Sequence, residues 1–147
     1  MFLSIAMALL AIVLSASSVL SQSDPIAARK ALMKQNNDHA REMVQTMRGQ
    51  KPFDAAAVDT AFAQWADTAQ KLPGLFPENS KTGQDTRATP KIWQNKKDFD
   101  EKAAAFGKAV ADNRDKAKAS LDGLKAAIPV VGKECDNCHE DYRAPKQ

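Results

Sequence analysis

Both cysteines of the chain and one of its two histidines lie within five consecutive residues, Cys135-Asp136-Asn137-Cys138-His139. On a helix, positions i, i+3 and i+4 share a face. Two thiols and an imidazole then project to one side, and any fold must leave that side room for what they hold. Several chemistries compete for the cluster. A thioredoxin-like redox pair places C-x-x-C at a helix start in a strand–helix setting, and no strand pattern precedes this motif. A zinc site needs three or four ligands, and His39, the one other strong nitrogen donor, lies far upstream. A small disulfide loop is a further alternative. C-x-x-C-H is also the attachment signature of c-type haem: the thiols add to the vinyl groups as thioethers and the histidine ligates iron. The cluster therefore predicts one covalently attached haem c, bound through Cys135 and Cys138, with His139 on the iron.

The rest of the chain reads as helix. Its 147 residues suffice for one domain. Only 6% are aromatic, and no Val/Ile/Tyr run suggests a sheet. Asp24-Pro25 predicts a helix start, with a carboxylate cap and proline at the first helical position; the helix runs to about Arg48, where Gly49 stops it. Ile26, Met33, Ala40, Val44 and Met47 line one of its faces at helical spacing. Asp54 caps a second helix, with Phe53 and Val58 placed as a hydrophobic staple, and Pro73-Gly74 ends it. A long connection, LPGLFPENSKTGQDTRATP, leads to a third helix predicted to be capped by Thr89 with Pro90 first, burying Ile92, Phe99, Ala103, Phe106 and Val110. The fourth starts near Ser120, carries Leu121, Leu124, Ala127, Ile128 and Val131 toward the cysteines, and contains a kinking Pro129. Four helices with one long crossing segment predict an all-α, antiparallel four-helix bundle. In it the start of the first helix lies beside the end of the fourth.

Residues 1–21 differ from the rest. MFLSIAMALLAIVLSASSVLS carries no charged side chain, and its apolar run is short for a membrane span of ~20 residues. Val19-Leu20-Ser21 fits a signal-cleavage site, although no Lys or Arg precedes the apolar core. The expectation is a signal peptide at 1–21, cut after Ser21, and an exported bundle domain at 22–147 without a membrane span; an uncleaved anchor is the alternative. The formal charge of +3, spread among interleaved acids, argues against nucleic acid and predicts only modest electrostatic steering of partners.

Several stretches together resemble one family across the whole mature chain: ARKALMK in the first helix, GQKPFDAAAV at the first turn, LPGLFPENS after the second helix, PKIWQNKKDF opening the third, and VGKECDNCHEDYR at the end. The chain is identified as a member of the cytochrome c-prime superfamily, the class II c-type cytochromes, and looks like its low-spin cytochrome c-556 branch. The resemblance implies a monohaem, periplasmic electron-transfer protein with unidentified redox partner proteins, monomeric or homodimeric, and not an enzyme. High-spin members carry a non-ligand over the distal face and bind NO or CO at five-coordinate iron; low-spin members place methionine there. The position four residues after Arg29 is Met33, which implies six-coordinate iron with His139 and Met33 as axial ligands. Independently, Met33 lies about 14 Å along the first helix, and Met43 and Met47 near 28 and 34 Å, so Met33 is nearest the level of His139; as an apolar-face methionine it is equally readable as plain core. The resemblance also implies that Arg29 pairs with a haem propionate and that Arg143 lies beside the proximal histidine, with surface charge and helix C-terminal charge as alternatives. His39 falls about 120° from Met33 by helical rotation and reads as a surface residue.

Overall fold

Local backbone chemistry sets most helix boundaries. The structure, a computed structural model, describes residues 24–145; the expected signal segment 1–21 lies outside them. Helix α1 spans Pro25–Met47, and the Asp24 carboxylate accepts hydrogen bonds from the amides of Ile26 at 2.8 Å and Ala27 at 3.3 Å. It ends at Arg48, followed by Gly49 at φ +72°, the left-handed conformation that favours glycine. Helix α2 spans Ala55–Lys71, capped by Asp54 through Ala56 N and Ala57 N. The expected staple is present: Val58 is fully buried and Phe53 packs against the same cluster. Two 3-10 turns, Leu72–Leu75 and Glu78–Ser80, open the long connection.

The expected third helix is interrupted. A short helix α3, Lys91–Gln94, stops at Asn95 (φ −131°, ψ 52°), and α4 restarts over Lys96–Ala119. Thr89 does not cap α3 with its side chain; its hydroxyl instead donates to the Asp141 carbonyl at 3.5 Å. The break presents the Asn95 carbonyl to the Tyr142 hydroxyl, 3.4 Å away. That carbonyl still accepts from Phe99 N at 3.1 Å as the first bond of α4, and the Tyr142 hydroxyl gives its hydrogen to the Asp98 carboxylate, so the break falls at a residue type with low helix propensity rather than at a competing tertiary bond. Helix α5, Leu121–Tyr142, carries the cysteine–histidine cluster and runs unbroken through Pro129, which sits on an exposed face.

Helices α1, α2, α4 and α5 form the bundle, and α1 and α5 run antiparallel. Met33, near the start of α1, shares a cluster with Cys138 near the end of α5. Met43 and Met47, at the other end of α1, pack with Leu121 and Leu124 near the start of α5. The core consists of two clusters. One holds Met43, Val58, Phe62, Trp65, Phe106, Val110, Leu124 and Val131; the other holds Leu72, Ile92, Phe99 and Tyr142. In the second, Phe76–Phe99 and Phe99–Tyr142 meet edge to face at 4.8 and 5.3 Å between centroids.

The turn between α4 and α5 is a single extended residue, Ser120, whose hydroxyl accepts from Gly123 N at 3.0 Å. A Cβ on Gly123 would stand 2.0 Å from the Lys116 carbonyl oxygen. That oxygen is backbone and cannot rotate away. Gly123→Ala is therefore expected to lower stability on the order of 3 kcal/mol through overpacking, read as a lowered thermal midpoint of the haem-loaded protein. An unchanged midpoint would show that this turn is soft.

Candidate haem site

Two adjoining cavities of about 410 and 300 Å³ run between the two core clusters. Met33, Leu72, Cys138, His139 and Arg143 line both. The larger is walled by apolar groups of all four bundle helices: Val44 of α1, Trp65 of α2, Ala103 and Phe106 of α4, and Ile128 and Val131 of α5. The smaller opens among four cations, Arg29, Lys30, Arg87 and Arg143, with Asp85 as the one carboxylate in its lining. An elongated apolar slot with two thiols, an imidazole and a thioether inside and guanidinium groups at one end fits a haem, whose macrocycle is apolar and whose propionates are anionic.

The helix places Cys135, Cys138 and His139 on one face, as i, i+3 and i+4 dictate. All three are half-buried, and no disulfide joins the two cysteines. Burial pushes the Cys135 thiol up to about 11, with nearby Asp136 adding to it. Burial also raises Cys138, and Lys102 partly opposes this. His139 is held below the usual imidazole range, first by burial and then by the Arg143 charge, which favours the neutral, metal-competent ring. Among the described residues no three His, Cys, Asp or Glu side chains gather into a metal-binding group, so the zinc reading of the motif gains no support from the fold.

Met33 is half-buried and lines both cavities. Met43 is 1% exposed and sealed in the other core cluster, and neither it nor Met47 nor His39 lines a cavity. Arg143 is the C-cap of α5 and exposed. It forms an isolated antiparallel bridge with Ala88. Thr89 N donates to the Tyr142 carbonyl at 3.0 Å, and Ala144 N to that of Arg87 at 2.8 Å. These bonds strap residues 87–89 of the crossing connection to the end of the motif helix, next to His139.

Arg29 is more than a cavity-rim charge. Its side chain is buried, and its guanidinium donates to Leu75 O at 3.0 Å, Ser80 Oγ at 2.9 Å, Ser80 O at 2.8 Å and Thr86 Oγ1 at 2.9 Å. It also stacks over Phe76 at 4.6 Å. No carboxylate pairs with it among the described residues. The sequence pattern marks the residue, but its grip on the crossing connection comes from segments roughly fifty residues away. Arg29→Leu is expected to cost on the order of 3 kcal/mol, as several charge-assisted bonds are lost and buried acceptors are left unpaired. Proteolytic cleavage within residues 76–89 should accelerate with it. Lys30→Ala, which removes one exposed bond to Gln84 O, is the control and should change stability by no more than about 0.5 kcal/mol.

Sequence reasoning missed several lining groups. Trp65 carried no signal beyond helical spacing, yet it walls the larger cavity. Tyr142 follows His139 by three residues, so its place on that face was available from periodicity; it is 4% exposed and donates its hydroxyl to the Asp98 carboxylate. Burial and that carboxylate push the phenol well above its usual range. Phe99 lines the smaller cavity while Trp93 does not; the Trp93 indole instead donates to Phe76 O at 2.9 Å. Lys30 and Arg87 join Arg29 and Arg143 only through the folded connection.

Comparison with known proteins gives one family. Residues 24–143 match the family model described as Cytochrome C′. A cytochrome c-556 of Rhodopseudomonas palustris is 42% identical over 137 residues, covering 90% of this chain and 91% of that protein. A cytochrome c′ of the same organism is 42% identical over 137 residues, covering 92% of each. The solved structure of cytochrome c′ from Rhodopseudomonas palustris superposes with a TM-score of 0.80 at 41% identity, covering 86% of this chain and 100% of that one.

Proposed function

Since the chain belongs to the cytochrome c′ family, whose members carry a single covalently attached haem c, we propose that it is an exported, periplasmic electron carrier with His139 and Met33 as its axial iron ligands. The observation that carries this reading is the position of Met33. It is the methionine that faces the cavity shared with His139, while Met43 is buried elsewhere.

When bound, the haem supplies one-electron redox chemistry at its iron. The chain supplies everything else. Cys135 and Cys138 anchor the group by thioethers from one helical face. His139, half-buried on α5, and Met33, on the antiparallel α1, would hold the iron between them. A thioether opposite histidine favours the reduced state, and two ligands held by packed helices demand little rearrangement between oxidation states. Phe106, Val131, Leu72 and Trp65 exclude water from the slot. The exposed cations lining the smaller cavity, Arg143 among them, would meet the propionates, and Arg29, whose terminal N–H groups are taken by Leu75, Ser80 and Thr86, would act on one through its charge and its remaining Nε–H. Residues 1–21 serve as the export signal, and 22–147 form the mature domain. With His139 and Met33 both holding the iron, the site would offer no open position to a substrate.

The alternative is five-coordinate iron that binds NO or CO. It keeps weight because the c-556 and c′ relatives are equally similar to this chain, at 42% each. Absorption spectra of the purified protein, oxidised and reduced, with and without CO, separate the two. A low-spin reduced spectrum that CO perturbs only slowly supports electron transfer, and immediate CO uptake by high-spin iron supports gas binding. N-terminal sequencing of the exported protein tests the cut after Ser21.

A further inference from the structure

A polar relay crosses from α2 to the α1 wall of the larger cavity. Gln64 Nε2 donates to Thr68 Oγ1 at 3.3 Å, and Thr68 Oγ1 donates to Asn36 Oδ1 at 2.9 Å. Trp65 Nε1 donates to the backbone carbonyl of the same Asn36 at 3.3 Å. Thr68 is fully buried, and both Thr68 and Asn36 line the cavity. With Gln64 Nε2 as the donor to Thr68, donor count gives the relay its direction. A hydroxyl has one hydrogen to give. With Gln64 donating to the Thr68 oxygen, that hydrogen goes to the Asn36 carbonyl oxygen. The Asn36 amide is thereby held with its oxygen toward α2, and its NH2 is left with no partner among the described residues. In a wall that is otherwise largely apolar, this is the one side-chain amide oriented by buried partners.

Asn36 follows Met33 by three residues, so the two share the cavity face of α1. A thioether that ligates through one lone pair keeps a second as a weak acceptor. We propose that Asn36 is a positioning residue for the α1-side axial ligand, its oriented NH2 serving as a hydrogen-bond donor to the Met33 sulfur and raising the reduction potential of the site. Two effects act in the same direction. A donor on the sulfur withdraws electron density that would stabilise the oxidised iron. The positive end of the amide dipole, in a low-dielectric slot, opposes the added charge of that state. This inference rests on the Met33 assignment of the proposed function.

The test compares haem-loaded wild type with Asn36→Leu, Thr68→Val and Gln35→Leu by redox titration, absorption spectrum and thermal midpoint. Asn36→Leu should favour the oxidised form by about threefold to tenfold, the worth of one hydrogen bond, a tenfold change corresponding to about 59 mV. Thr68→Val, which leaves Asn36 in place but unpins its oxygen, should shift the equilibrium the same way by less. Gln35→Leu, exposed on the same helix turn and outside the lining of both cavities, should leave it unchanged. A potential unmoved by Asn36→Leu and Thr68→Val, with only the thermal midpoint lowered, would mean the relay is interhelical packing and would overturn the proposal. Should Asn36→Leu not fold, Asn36→Asp retains the size and the acceptor for Thr68 while deleting the donor, and an unchanged potential there overturns it equally. A wild type that is high-spin removes the Met33 assignment alone. The donor is then read from CO dissociation, which Asn36→Leu should accelerate if the NH2 faces the axial position; an unaltered rate removes the Asn36 inference too.

Discussion

Met33→Ala is expected to convert the reduced protein from low-spin to predominantly high-spin iron. On the proposed ligation the substitution removes the sixth ligand and leaves His139 and both thioethers in place. CO uptake, slow in wild type because it must displace a held thioether, should become fast. The reduction potential should fall, because methionine opposite histidine favours the reduced iron. The stability cost should lie near the low end of the range for methionine truncation, about 2 kcal/mol, since Met33 is only half-buried. Met43→Ala is the matched control. It removes a side chain that is 1% exposed in the cluster around Val58 and Phe62. It should cost more, about 2–5 kcal/mol, with no change of spin state. A wild-type spectrum retained by Met33→Ala would sink the ligand assignment.

The second large effect concerns attachment. In the Cys135→Ala/Cys138→Ala double variant, acid–acetone should extract the haem that wild type retains. Expressed without a haem-attachment system, the wild-type chain should lack a cooperative thermal transition. The physical reason is the divided core. The Phe62–Trp65 cluster and the Phe99–Tyr142 cluster are separated by the cavities, and packing across a void forfeits the contacts that make a bundle unique. A haem-free chain that melts as sharply and as high as the loaded protein would contradict this account.

Surface charge is where the tertiary structure changes the expectation most. Along the sequence the basic residues look evenly spread, and the formal charge of +3 predicts weak steering. In the fold, Lys30 from α1, Arg87 from the crossing connection and Arg143 from the end of α5 gather with Arg29 at one cavity mouth, while many other lysines sit in i,i+4 pairs such as Lys34–Asp38 and Lys108–Asp112. Any salt sensitivity of partner association beyond what the net charge predicts is expected to come from this local patch, less what the haem propionates neutralise.

What the sequence determined by itself is local. Asp24, Asp54 and Ser120 cap the helices they precede because a side-chain oxygen needs to reach only two or three residues to meet a free amide. Gly49 ends α1 because its backbone tolerates positive φ. Cys135, Cys138 and His139 share a face because 3.6 residues per turn allows nothing else. Those regularities made the four bundle helices and the haem motif legible before any contact was known. What only the tertiary structure decided involves partners distant in the chain. The Tyr142 hydroxyl sits beside the break at Asn95 and gives its hydrogen to the Asp98 carboxylate of α4. The Thr89 hydroxyl turns from its own helix to Asp141. Arg29 holds Leu75, Ser80 and Thr86, and Asn36 is oriented by Thr68 from the neighbouring helix. In each case a buried or partly buried polar group is met by whichever group the bundle brings within hydrogen-bond reach, and no local pattern records which group that will be.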